Sequence, residues 1–211
     1  MLLTPTPAAN DFTGVLAVGQ AEAETGLDAL PGTVAELKHV KSQVGDVHFT
    51  QLDGRNATVA AVLDGLGKHS WVHFACHAKQ DPADSISSAL YLHDGMLDLA
   101  MITRKSDKCG GLAFLSACQT ATGDEKMPDE SVHLAAGMIM AGYPTVIATM
   151  WSVMDEDAPL IASEVYARLF EGGVPDSGKA AEALHSAVQT LRAKVGNKAF
   201  MRWVPYVHMG I

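Results

Sequence analysis

Hydrophobic positions along this chain fall into short apolar runs separated by amphipathic stretches. Residues 14–19, 47–52, 71–76, 112–117 and 145–150 are short and largely apolar or β-branched, the pattern of strands buried on both faces. Between them, apolar residues return at helical spacing. Val34, Leu37, Val40 and Val44 follow Pro31, a residue suited to a helix start, and Val59, Val62, Leu63 and Leu66 stand at i, i+3, i+4 and i+7. The same reading predicts helices over residues 129–141, 158–170 and 180–195, the last with Leu184, Val188, Leu191 and Val195 on one face. Strands alternating with helices in this way predict an α/β fold, a mostly parallel sheet covered on both faces. Residues 89–92 and 96–97 flank Asp94-Gly95 and predict a small hairpin, placed as an insertion on the sheet edge. A last strand is expected over residues 204–209, at an edge because Pro205 has no amide to donate.

Residues 1–12 are Pro- and Thr-rich without periodicity and read as a linker, leaving one domain over residues 13–211. The net charge of −9 argues against a nucleic-acid partner, since phosphate binding needs clustered Lys and Arg, and residues 104–108 form only a short basic stretch, read as a solvated loop. No apolar run reaches the roughly 18 residues of a membrane span, and the first residues do not form a secretory signal, so a cytoplasmic location is expected. Three cysteines are too few and odd in number for a disulfide framework. They direct attention to individual thiols.

Two of the predicted strands end in reactive side chains. His77 follows the run at residues 72–76, and Cys118 follows the run at residues 112–117. Side chains just past the carboxyl ends of neighbouring parallel strands meet in one crevice, so the pattern predicts an imidazole beside a thiol although the two lie 41 positions apart. A free thiol has a pKa of about 8.5 and needs such a neighbour to become a nucleophile at neutral pH. The same imidazole can then protonate an amine leaving group. Backbone amides of Ala78 and Cys118, each at a strand end, are the candidate oxyanion donors.

An ordered series of segments carries a family resemblance: Phe74-Ala75-Cys76-His77-Ala78, Ser85 to Leu92, Leu115-Ser116-Ala117-Cys118-Gln119-Thr120-Ala121-Thr122-Gly123, Ala141 to Val146, and Met150-Trp151-Ser152-Val153. Together they resemble the CHAT domain, a caspase-like peptidase domain related to separase and often found behind tetratricopeptide repeats. The resemblance runs from about Val15 to Ile211. It implies a caspase-like three-layer αβα sandwich and a cysteine endopeptidase acting on a protein or peptide substrate through a Cys-His dyad, with His77 and Cys118 at the family's catalytic positions. It also implies a repeat or receptor domain elsewhere in the full-length protein, and further family residues upstream of the first strand. Ser116 and Thr120 depart from the Gln and Gly that flank the caspase Ala-Cys-Gln core, so aspartate-specific cleavage is not expected. The segment 151–157 resembles the separase stretch that forms an acidic pocket, which makes Asp155 and Asp157 candidate ligands for a basic substrate side chain.

Plainer readings accompany each of these. The alternative to the enzyme is a catalytically silent caspase-like interaction module. Asp155 and Asp157 also suit an acidic first turn for the helix from Ala158. Cys76 points away from His77 by the two-residue strand period and reads as packing, and Cys109 reads as incidental. His69, His73 and His77 recur every four residues, but His73 and His77 on a strand stand roughly 13 Å apart, so no metal site is expected. Glu130 and His133 read as capping or solvated. Gly14 and Gly19 lack the intervening glycine of a dinucleotide fingerprint, so no cofactor is expected. The polar loop at residues 119–128 is the expected site of limited proteolysis.

Overall fold

The computed structural model describes residues 12–22, 27–79, 88–105, 110–116, 118–119 and 131–210. In chain order the elements are β1 (Val15–Gly19), α1 (Gly32–Val44), β2 (Phe49–Asp53), α2 (Val59–Leu66), β3 (Trp71–Ala75), β4 (His77–Lys79), β5 (Ala89–Leu92), β6 (Gly95–Asp98) and α3 (Leu99–Lys105). They continue with β7 (Leu112–Leu115), β8 (Cys118–Gln119), α4 (Ser131–Met140), β9 (Thr145–Thr149), α5 (Ala158–Leu169), α6 (Ala180–Val195), α7 (Phe200–Trp203) and β10 (Tyr206–Gly210).

The main sheet has the order β10-β9-β7-β3-β1-β2, parallel throughout except for β10, which runs antiparallel to β9 at one edge. Its central strands β1, β3, β7 and β9 are buried on both faces, and the strand period divides their side chains between two cores. Val72 and Phe74 of β3 face a core shared with Val62 of α2, Ile102 of α3 and Met138 of α4. Trp71 of the same strand faces a core built with Val40 of α1, Ile161 and Tyr166 of α5, and Leu191 of α6. The result is the expected three-layer αβα sandwich, helices on each side of a mostly parallel sheet.

Local sequence accounts for the helix ends. The Thr58 hydroxyl caps α2 by accepting from the Ala61 amide at 3.2 Å, and Pro159 opens α5 where no amide is needed. Gly45, at φ 79°, and Gly196, at φ 90°, turn the chain out of α1 and α6 in a region that costs other residues a Cβ clash.

Four expectations are corrected. The predicted hairpin does form from β5 and β6, but it belongs to a second sheet, of order β6-β5-β4-β8, and not to an edge of the main one. The third strand stops at Ala75, the chain bends at Cys76, and a new strand starts at His77. Arg104 and Lys105 lie in the last turn of α3, where their charge complements the helix dipole, and not in a loop. Gln119 is paired within β8, while residues 120–128 of the expected cleavage loop fall outside the described residues.

Candidate active site

The bend at Cys76 carries the chain out of the main sheet without losing register. Phe74 of β3 pairs with Leu115 of β7 in the main sheet, and three positions further along each chain His77 pairs with Cys118 in the parallel β4–β8 ladder. In-register positions on adjacent strands stand roughly 5 Å apart, and in a parallel ladder they share a face. The ladder therefore makes close neighbours of two positions far apart in sequence, just past the carboxyl ends of β3 and β7. Ala78 stands between β5 and β8, opposite Leu90 on one side and Gln119 on the other.

The His77 ring is 3 % exposed, and its Nε2 donates to the Asp28 carbonyl at 2.7 Å. A carbonyl oxygen can only accept, so the proton of the neutral ring sits on Nε2. Nδ1 is buried and, among the described residues, has no hydrogen-bond partner. Its lone pair is the one left for chemistry. Asp28 lies between β1 and α1, where the Gln20 amide donates to the Ala75 carbonyl, 3.0 Å, and the Leu30 amide to the Ala21 carbonyl, 2.9 Å.

The family model for the CHAT domain matches residues 3–211. The chain belongs to the CHAT domain family. Among solved structures, the CHAT chain is similar to the Arg-specific cysteine proteinase gingipain R, with a TM-score of 0.63 at 14% identity, covering 96% of this chain and 47% of that one. A complex of the pro- and mature domains of RgpB from Porphyromonas gingivalis gives a TM-score of 0.62 at 13% identity, covering 96% and 48%. The CHAT chain thus spans about half the length of these structures, and at such identities the likeness is one of fold. Among curated proteins none matches.

The acidic segment after β9 is engaged within the CHAT chain itself. Asp155 Oδ2 accepts from the Gly32 amide at the start of α1, 2.6 Å. Asp157 stands at the N-cap position of α5, but its carboxylate makes no cap bond to that helix. It is fully buried and gripped by Arg202, whose Nε reaches Oδ2 at 2.7 Å and whose Nη2 reaches Oδ1 at 2.6 Å; Nη2 also meets Glu156 Oε1 at 2.6 Å. The bond to Asp157, with the nearby charges of both carboxylates, pushes the Arg202 guanidinium further above its ordinary pKa and keeps it cationic.

The three regularly spaced histidines each have separate partners. His69 meets Thr50 Oγ1 at 2.7 Å and the Gly65 carbonyl at 2.9 Å, and His73 Nε2 lies 3.1 Å from Glu36 Oε1. Among the described residues no cluster of His, Cys, Asp and Glu has the form of a metal site. Cys76 is fully buried in the core on the α2 side of the sheet. Cys109 and Glu130, and the side chain of His133, lie outside the described residues. Sequence reasoning missed the Asp28 carbonyl, Arg202 and the Glu36–His73 pair. The first is a backbone group with no side-chain signature, and the others join segments 37 and 45 positions apart.

Proposed function

We propose that this CHAT domain is a cysteine endopeptidase in which Cys118 is the nucleophile and His77 the base. The observation that carries the reading is the parallel pairing of His77 with Cys118 beside an imidazole whose Nδ1 is unengaged. In the first half-reaction the thiol proton passes to His77 Nδ1 and the sulfur attacks the scissile carbonyl carbon. The imidazolium so formed spreads its charge through Nε2–H to the Asp28 carbonyl. Backbone amides of Ala78 and Cys118 hold the oxyanion, a role in which one donor typically contributes about 3–4 kcal/mol to the transition state. Collapse expels the amine, which takes the proton from Nδ1. Water activated by the now neutral ring then hydrolyses the thioester, returning the thiol. Transfers of this kind typically accelerate a reaction by roughly 10²–10⁴.

Specificity follows from the acidic corner. Asp155 and Asp157 would receive a basic substrate side chain only by exchange, the first for the Gly32 amide and the second for Arg202. A substrate Arg has the forked geometry to replace Arg202, whereas Lys, a point charge, matches it less well. The protein substrate would lie extended beside the β8 edge of the second sheet, where main-chain pairing supplies affinity.

An acyloxymethyl-ketone probe tests the reading. Intact-mass and peptide analysis should find one adduct, on Cys118, abolished by Cys118→Ala and slowed at least 100-fold by His77→Ala. The trial is run on the chain alone and with any repeat or receptor domain of the full-length protein, because a partner can shift the population of the competent state. A folded sample unlabelled under both conditions would favour the silent interaction module.

A further inference from the structure

We infer that Glu36 and His73 are positioning residues: their buried bond fixes α1 against β3 so that the Asp28 carbonyl holds His77 in its Nε2–H tautomer. The inference rests on the proposed role of His77 as the base. Its geometry is a polar seam through an otherwise apolar contact. Asp28, Gly32 and Glu36 follow one another at four-residue intervals into and along α1, and each makes one polar bond across to the sheet or its loops. The Asp28 carbonyl accepts from His77 Nε2 at 2.7 Å, the Gly32 amide donates to Asp155 at 2.6 Å, and Glu36 Oε1 meets His73 Nε2 at 3.1 Å. His73 and His77 are likewise four positions apart, on β3 and at the start of β4.

Glu36 and His73 are 2 % and 0 % exposed, and an isolated carboxylate at such depth is strongly disfavoured. His73 lies against the rings of Phe114, 4.7 Å between centroids, and Tyr166, 5.6 Å. Burial, and then the nearness of Glu36, drive the Tyr166 hydroxyl well above its ordinary pKa. Nothing in the proposed half-reactions uses this cluster. Nor is stability a sufficient reason for it, because a buried polar pair is commonly matched in stability by apolar residues of the same volume. What apolar packing lacks is direction. Leu37, Val40 and Val44 hold α1 on the sheet through contacts that tolerate small slides and rotations, and a hydrogen bond does not. A slide of about 1 Å would be enough to take the Asp28 carbonyl out of reach of Nε2. His77 would then be free to place its proton on Nδ1, the wrong nitrogen for a base.

The test is the double substitution Glu36→Leu/His73→Phe, which removes both polar partners and leaves neither orphaned, compared with Val40→Ala, which loosens the same helix without touching the seam. Ring ¹⁵N spectra of His77 report the tautomer, and the rate of Cys118 labelling by the acyloxymethyl ketone reports reactivity. In the double variant we expect a thermal midpoint within a few degrees of wild type, loss of the slowly exchanging Nε2 proton, a mixed-tautomer spectrum and at least tenfold slower labelling. Val40→Ala should lower the midpoint and keep the Nε2–H spectrum, and Glu36→Gln, which retains an acceptor for His73, should keep it as well. Should the double variant not fold, Glu36→Met is read by the same spectra and labelling rate, its midpoint falling because His73 Nε2 loses its partner. A pure Nε2–H spectrum and an unchanged labelling rate in the seam variant would overturn the inference while leaving the peptidase reading intact. An altered tautomer in a protein whose wild type never labels would do the reverse.

Discussion

A single methyl group tests the packing of the α1 start. A Cβ built at Gly32 would stand 2.3 Å from the Asp155 carbonyl oxygen and 2.7 Å from its Cγ, with backbone on one side and a hydrogen-bonded carboxylate on the other. Alanine is worth about 1 kcal/mol more than glycine within a helix, yet forced overlap in a packed site costs about 1–3 kcal/mol. Gly32→Ala should therefore destabilise, lowering the urea midpoint by an amount worth about 1–2 kcal/mol. The reverse sign is expected for Tyr166→Phe. The Tyr166 hydroxyl is buried and, among the described residues, unpartnered, so its removal gives up no hydrogen bond and relieves a desolvated group. The same urea titration should show a variant equal to wild type or more stable by up to about 1 kcal/mol. At this scale, sequence made His77 and Cys118 conspicuous because each terminates an apolar run. The carbonyl of Asp28 could not be seen in that way, since every residue carries the same backbone oxygen and only tertiary structure chooses one. Asp155 and Asp157 were conspicuous as charges, but their partners were hidden: a backbone amide and an arginine 45 positions downstream of Asp157.

Elements divide by how much of their stability is local. Strands β1, β3, β7 and β9 and helices α2, α5 and α6 lie within two residues of where hydrophobic spacing puts them, because each buries a continuous face and that face is written in the sequence. Strands β4 and β8 have three and two residues, too short to show any period, and they exist because the main-sheet pairing of β3 with β7 continues past the bend. For α7 the cause is also tertiary. It is four residues long with none buried, and it is held by the Trp151 indole donating to the Met201 carbonyl at 3.0 Å, by Arg192 over the Trp203 ring at 4.9 Å, and by Arg202 on Asp157. Arg202→Ala would leave the Asp157 carboxylate buried and unpaired, so a fall of several degrees in thermal midpoint is expected. Arg202→Lys restores the charge without the fork and should recover only part of the loss. Equal midpoints for wild type and Arg202→Ala would show that the clamp contributes little to α7 docking.

For the whole molecule, the edge strand β10 introduces a dependence on acidity. Half-buried His208 has its pKa lowered below the usual 6.5 because burial disfavours the charged ring. The unfolded chain then takes up a proton before the folded one does. His208 accordingly costs nothing well above pH 6.5, begins to favour unfolding as pH falls through that value, and stops adding to the loss once the folded ring is protonated too. Urea midpoints at pH 7.5 and 5.5 should differ less in His208→Gln than in wild type; an identical pH dependence in the two would rule out this contribution. The antiparallel course of the same strand sets where its far end lies. Gly210 pairs with Thr145, which stands in the row of Leu112, Trp71 and Val15, so both described ends of the polypeptide emerge on one side of the sheet. His77 lies on the other, beyond a strand about 17 Å long. Whatever touches the chain at Val15 or Gly210 is thus a full sheet's length away from the imidazole, with the helical layers in between.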